Sequence, residues 1–384
     1  MGFEQKSAAE SVSAQPLCER YRDQFPVTGR LIYLNHAAVA PLPRATAEAM
    51  QWLAQDALDF GSFHYAKWLD TYEQLRVAAA RLIGAERGEI ATVKNTSEGI
   101  ATVAMGLNWH PGDRVVAFRE EFPSNYYPWL RLEEHRVSVD WLSVTDSLDV
   151  IDRACQGAKL LAISFVQYLS GLRVDLNAIG EICRRHGCFF FVDAIQGLGA
   201  FPLNVETAHI DALAAGGHKW MLGPEGCGIL YIRKNRQDSV FPMEFGWTNV
   251  AGYHDYSSRD LTLRPDAGRY EGGTLNTIGC YGLKASIEFL LEVGIERIAA
   301  AVQALTDQLA EGASRKGYQM LGDRTPENGA GIISVHKPGV DSRQVVHELK
   351  ERGIIAAPRQ GWVRFSPHFY ISPEDIERVV DALP

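Results

Sequence analysis

From about residue 86 onward, short apolar runs of β character alternate with helical stretches, and this alternation limits the possible folds more than any other feature. "EIATVKN" is followed by "TSEGIATVAMGL", and "DRVVAF" by "SNYYPWLRLEEH". "VSVDWLSV" precedes "AKLLAISFV", "LNAIGEICRRHG" leads into "CFFFVDAIQ", and "DALAAGG" and "GCGILYI" complete the series. Such alternation predicts an α/β sheet that is mostly parallel. After about residue 278 the texture changes to long amphipathic stretches ("GLKASIEFLLEVGIERIAAAVQALTDQLAEGAS"), short strands ("GIISVH", "GWVRFS") and a final helix ("SPEDIERVVDAL"). The expected organisation is an N-terminal arm and entry segment over 1–42, a large domain over 43–277 and a smaller α+β domain over 278–384.

Composition narrows the partners. The net charge is −9, with no basic run, which argues against nucleic acid and anionic membrane surfaces. No stretch is apolar for long enough to span a bilayer, and the N-terminus lacks a signal-peptide core. "MGFEQK" begins like an acylation site, but Lys6 stands where Ser or Thr is wanted. The six cysteines have no CxxC spacing, which fits reduced thiols in a cytoplasmic protein and no metal site.

In open α/β sheets, functional groups gather at the carboxyl ends of strands. "CFFFVDAIQG" is an apolar strand ending in Asp193, a carboxylate that is costly to desolvate unless a cation meets it. Read alone, it also fits a turn or helix cap. One strand further on, "AAGGHKWMLGP" sets Lys219 among small residues, with no acid nearer in sequence than Glu225. An acid and a lysine at neighbouring strand ends suit either a pyridoxal phosphate (PLP) site or a buried salt bridge. "KNTSEGIATVAMGL" opens a helix with Thr96 and Ser97, a phosphate cradle or an ordinary capping sequence. Phe122, just after a strand, can stack on a flat ring or fill the core. Arg364, among aromatics in "QGWVRFSPHFY", is either a carboxylate clamp or a surface arginine.

Taken together and in this order, these motifs resemble the class V aminotransferase family of fold-type I PLP enzymes, on the branch of cysteine desulfurases, selenocysteine lyases, kynureninases and isopenicillin-N epimerases. The resemblance runs from "YLNHAAVAPLP" at 33–43 to "VRFSPHFYIS" at 363–372. It implies a mostly parallel seven-stranded sheet in the large domain and a homodimer with shared active sites. It implies that Lys219 is the Schiff-base lysine, Asp193 the partner of the pyridine nitrogen, and Gln196 the donor to the cofactor's phenolic oxygen. Thr96, Ser97 and His218 match phosphate-binding positions, and Phe122 the ring-stacking position. Gly273 and Thr274, in "YEGGTLN", match the loop that reaches the partner's phosphate. Arg364 matches the grip on the substrate α-carboxylate, while Asn35, His36 and Gln167, with Tyr168, line the substrate side.

One element departs from the desulfurase pattern. Those enzymes carry a persulfide-forming cysteine shortly before the carboxylate-binding arginine, whereas "IIAAPRQGWVRFS" has none, nor does any residue after Cys280. The expectation is therefore an enzyme on an α-amino acid, cleaving a C–S or other β-substituent bond without a persulfide cysteine. Transamination and epimerisation are the alternatives within the family, and a non-catalytic PLP-binding protein is the alternative outside it.

Overall fold

The computed structural model describes residues 15–384, so "MGFEQK" and the start of the expected arm lie outside the described residues. Seven strands form the large sheet: β1 Ile90–Val93, β2 Arg114–Phe118, β3 Ser138–Leu142, β4 Leu160–Ser164, β5 Phe189–Asp193, β6 Ala212–Gly216 and β7 Gly228–Ile232. Their order is β1-β7-β6-β5-β4-β2-β3, and only β7 runs antiparallel to its neighbours. The carboxyl ends of the other six therefore share one edge. β4 to β7 are buried along their whole length, as expected for a sheet covered on both faces. One apolar cluster packs on each face.

The helices follow from local chemistry. Helix α1 spans Arg44–Phe60, α2 Tyr65–Ile83 and α3 Thr96–Gly106, where the Asn95 side chain caps the Glu98 amide. Helix α4, Leu176–His186, is capped by Asp175 and places Ile179, Ile182 and Cys183 against the sheet. "SNYYPWLRLEEH" does not form one helix. Pro123 and Pro128 each stand at a helix start, and the segment divides into Pro123–Asn125, Tyr127–Arg131 and Leu132–His135. The long amphipathic stretch divides at Gly294 into α5, Thr277–Val293, and α6, Ile295–Arg315. Helix α5 packs on both α1 and α2, so it belongs as much to the large body as to the small one.

A four-stranded antiparallel sheet forms the second layer, from Gln319–Met320, Ile333–His336, Ala357–Arg359 and Trp362–Phe365. Ile32–Tyr33 pairs in parallel with Ile354–Ile355, tying the N-terminal segment to this side of the molecule. The hairpin between Arg359 and Trp362 closes in two residues, Gln360 at φ 49° and Gly361 at φ 85°. Two successive left-handed residues make the tight turn whose twist matches antiparallel strands, and glycine carries the second at no steric cost. Among the described residues, no helix is long and apolar enough to cross a membrane.

Candidate active site

Strand ends of the large sheet bring together residues that are far apart in sequence. β5 ends in Asp193, which is 3% exposed and accepts one hydrogen bond, from the Ile195 amide at 3.0 Å. Burial pushes its carboxyl up to about 6, against the opposing pull of that amide and of Lys219. Lys219 lies in the turn after β6 and makes no ion pair with any described residue. Desolvation, outweighing the attraction of Asp193, brings its ammonium down to about 8, with Arg364 and Arg359 adding repulsion. Its Nζ stands 5.6 Å from the centre of the Phe122 ring. His218 is half-buried and shifted down by desolvation and by the Lys219 charge.

The helix end beside this pair is fixed to the sheet. The Thr96 hydroxyl accepts from the Gly216 amide at 2.9 Å and keeps its own proton to donate. Ser97 meets Ser124 hydroxyl to hydroxyl at 2.7 Å. Gln196 is held on both sides: its amide nitrogen donates to Ala37 O at 3.1 Å, and Trp220 Nε1 donates to its oxygen at 3.0 Å. One N–H of Gln196 remains for another acceptor.

Arg364 is 2% exposed and has no carboxylate partner. Its one hydrogen bond goes to Tyr168 O at 2.8 Å, and its buried Nε has no acceptor. Burial, reinforced by Arg359, pulls the guanidinium down to about 10. A buried cation left without an acceptor calls for an anion, because an unpaired buried charge is expensive. Tyr168 packs edge-on against Phe122, with ring centres 5.3 Å apart. Asn35 presents a buried Oδ1 without a donor, close to the bridge between Asn35 and Ser366.

One expected residue is placed differently. His36, expected on the substrate side, is fully buried with both ring nitrogens engaged. Nδ1 lies 2.8 Å from Ser366 O, and Nε2 lies 2.6 Å from the Tyr370 hydroxyl. Nothing of its polarity is left for a ligand, so it is a packing residue here. Gln167 is also buried and donates to Glu121 at 3.2 Å. Gly273 and Thr274 sit in an exposed turn anchored from behind by Glu271, whose carboxylate accepts from the Thr92 amide and pairs with Arg76.

Glu121 carries no functional reading in the sequence, yet it is buried at the edge of this cluster. It accepts from the Ser164 amide at 2.7 Å and from the Ser164 hydroxyl. Burial, with Asp193 nearby, raises its carboxyl to about 7. "REEF" reads as a charged turn. Only the contact with Ser164, 43 residues later, turns it inward.

The residues fit a phosphorylated pyridine aldehyde. Asp193 is a desolvated acid that lacks a close cation, Lys219 is an amine with a depressed pKa, and hydroxyls line a helix start. The class V aminotransferase family model matches residues 32–379. A probable cysteine desulfurase of Pyrococcus abyssi is 31% identical over 95% of this chain and 96% of its own length. The apo structure of a cysteine desulfurase from Thermococcus onnurineus NA1 superposes with a TM-score of 0.89 at 29% identity, covering 96% of this chain and 97% of the other. A C-DES variant with glycine covalently linked to its PLP cofactor shares the fold, with a TM-score of 0.87 at 22% identity over 94% of this chain and 98% of the other. The chain belongs to the class V aminotransferase family and is an enzyme whose cofactor is PLP.

Proposed function

We propose that this enzyme is a lyase that cleaves the β-substituent of an α-amino acid, with no protein persulfide. For a thioether substrate the balance is R–S–CH2–CH(NH3⁺)–COO⁻ + H2O giving R–SH, pyruvate and NH4⁺. The observation that carries this reading is the two-residue hairpin at Gln360–Gly361, which leads straight into Arg364. It leaves no loop to bring a thiol to the site, and all six cysteines are buried. Both features support a reading other than the cysteine desulfurase for which several relatives are named.

In this reading Lys219 attaches the cofactor, with Asp193 at the ring nitrogen and Phe122 on the ring face. Thr96, Ser97 and His218 hold the phosphate, and Gln196 turns its remaining N–H to the phenolic oxygen. PLP, when bound, withdraws the negative charge that develops at the substrate's Cα. Arg364 clamps the α-carboxylate, and Asn35 and Gln167 border the same space. Lys219 Nζ would take the Cα proton as general base; its depressed pKa leaves part of it neutral at neutral pH. The reading keeps the expected division into an arm at 1–42, a large domain at 43–277 and a small domain at 278–384.

The same reading includes a homodimer in which Gly273 and Thr274 reach the partner's phosphate. The segment before them supports it by leaving Phe241, Phe245, Trp247 and Leu261 exposed. One preparation tests both parts: a variant with all six cysteines replaced by serine or alanine. It is expected to sediment as a dimer, bind PLP and release thiol and pyruvate at close to the parent rate. Loss of turnover with PLP and dimer intact would return a catalytic thiol to the mechanism.

A further inference from the structure

A cavity of about 770 Å³ lies at the junction of the large and small sheets, bordered by Tyr168. Residues 119–121, 143–145 and 167–172 of the large body line it, with 320–324, 328–329, 332–334 and Gln360 from the other side. Glu121, Gln167 and Tyr168 belong to this lining and also border the active-site cluster. Tyr168 stands at the divide. Its carbonyl receives the Arg364 guanidinium, its ring faces Phe122, and its hydroxyl accepts from Gln360 Nε2 at 2.8 Å. Tyr168 therefore links the Arg364 guanidinium to the cavity lining.

The floor is built by close contact between the two bodies. Ser334 donates to Leu169 O at 2.5 Å, and the Arg173 amide donates to Asn328 O at 2.7 Å. Gly171 has φ 76°, and a Cβ there would lie 2.2 Å from Ile332 O, so only glycine lets the chains approach this closely. The volume falls in the range of about 300–1,000 Å³ that takes drug-sized ligands, and a small amino acid would leave most of it to water. Leu169, Leu172 and Ile332 supply apolar wall. The charged lining is mostly committed: Arg324 to Asp307 and Thr306, and Glu120 to Ser143 and Val144. Arg119 and Asp323 at the rim both lack an ion-pair partner among the described residues, one cation against one anion, so the free charge favours neither sign.

We propose that this cavity receives the distal part of the substrate, an amino acid whose β-substituent is long and apolar. The proposal rests on the lyase reading above. The test uses the holoenzyme on cysteine S-conjugates, S-methyl, S-butyl and S-hexyl, with thiol and pyruvate measured together. The expected kcat/KM rises about tenfold or more from the first conjugate to the last. Thr145→Trp and Leu321→Trp, on opposing walls, should each erase that rise while changing S-methyl turnover less than about threefold. A flat series, or tryptophan variants that depress all three conjugates alike, would overturn the subsite while leaving the lyase reading standing. No thiol or pyruvate from any conjugate, with PLP bound, would overturn the lyase reading and the substrate class with it.

Discussion

Two buried polar clusters meet in this molecule, and their members are neighbours in sequence. One is His36, His368 and Tyr370, with Ser366 and the Trp220 carbonyl. The other is Asp193, Lys219 and Arg364. In the first, every polar end has a partner. Ser366 O can only accept, so His36 Nδ1 carries the proton and Nε2 accepts from Tyr370. His368 is the opposite tautomer: its Nδ1 accepts from the Phe369 amide, and its Nε2 faces Trp220 O. Both rings are neutral, with His36 pushed down to about 4 by burial. In the second cluster the groups keep their charges and lack close partners. Asp193 has one amide, Arg364 has one carbonyl and an orphaned Nε, and Lys219 has no ion pair.

The difference separates structure from site. A buried network that satisfies itself stabilises the fold, while one that is desolvated and incomplete costs stability until a ligand completes it. The same contrast holds between two arginines. Arg76 is buried against Glu271 and Glu73, whereas Arg364 is more deeply buried and faces no acid.

The largest effect that would sharpen this contrast is Asp193→Ala. Some PLP should remain bound, but turnover should fall by about two orders of magnitude or more, because nothing then keeps the ring nitrogen protonated. Near-normal turnover would move Asp193 into the self-satisfied class. Next is Arg364→Ala, expected to raise KM by roughly 2–4 kcal/mol of lost charge-assisted binding, with little change in bound PLP. An unchanged KM across amino-acid substrates would mean that Tyr168 O is all this guanidinium serves.

The smallest effect probes the closed cluster. A histidine whose folded pKa is depressed to about 4 from the ordinary 6.5 binds more protons when unfolded, so stability present above about pH 6.5 is lost as pH falls toward 4. Across that window this single group accounts for about 3 kcal/mol of lost stability. His36→Gln should flatten the acid limb of urea unfolding by up to one proton while leaving the PLP spectrum in place. A parallel acid limb in parent and variant would show that His36 is not the neutral, closed group described above.

Much of this was legible in the chain. All seven strands of the large sheet coincide with the apolar runs, because a sheet covered on both faces needs continuous apolar segments. Asp193 and Lys219 stood out because charge at the end of such a run is costly. Other features were hidden by distance. The role of His36 depends on Tyr370, 334 residues away, and the burial of Glu121 depends on Ser164. A histidine in "LNHAA" and one in "GGHKW" look alike in sequence, and only the fold gives the first two partners and leaves the second beside the lysine. The breaks in the helical stretch after Phe122 were signalled by its prolines, but its three short pieces are set by packing against α3, β3 and β4.

The central claim is that Lys219 is the unsatisfied amine the cofactor completes. Borohydride reduction of the purified holoenzyme, followed by proteolysis and peptide mapping, tests it most directly. The account predicts pyridoxyl label on Lys219 alone, and label fixed on any other lysine would contradict it.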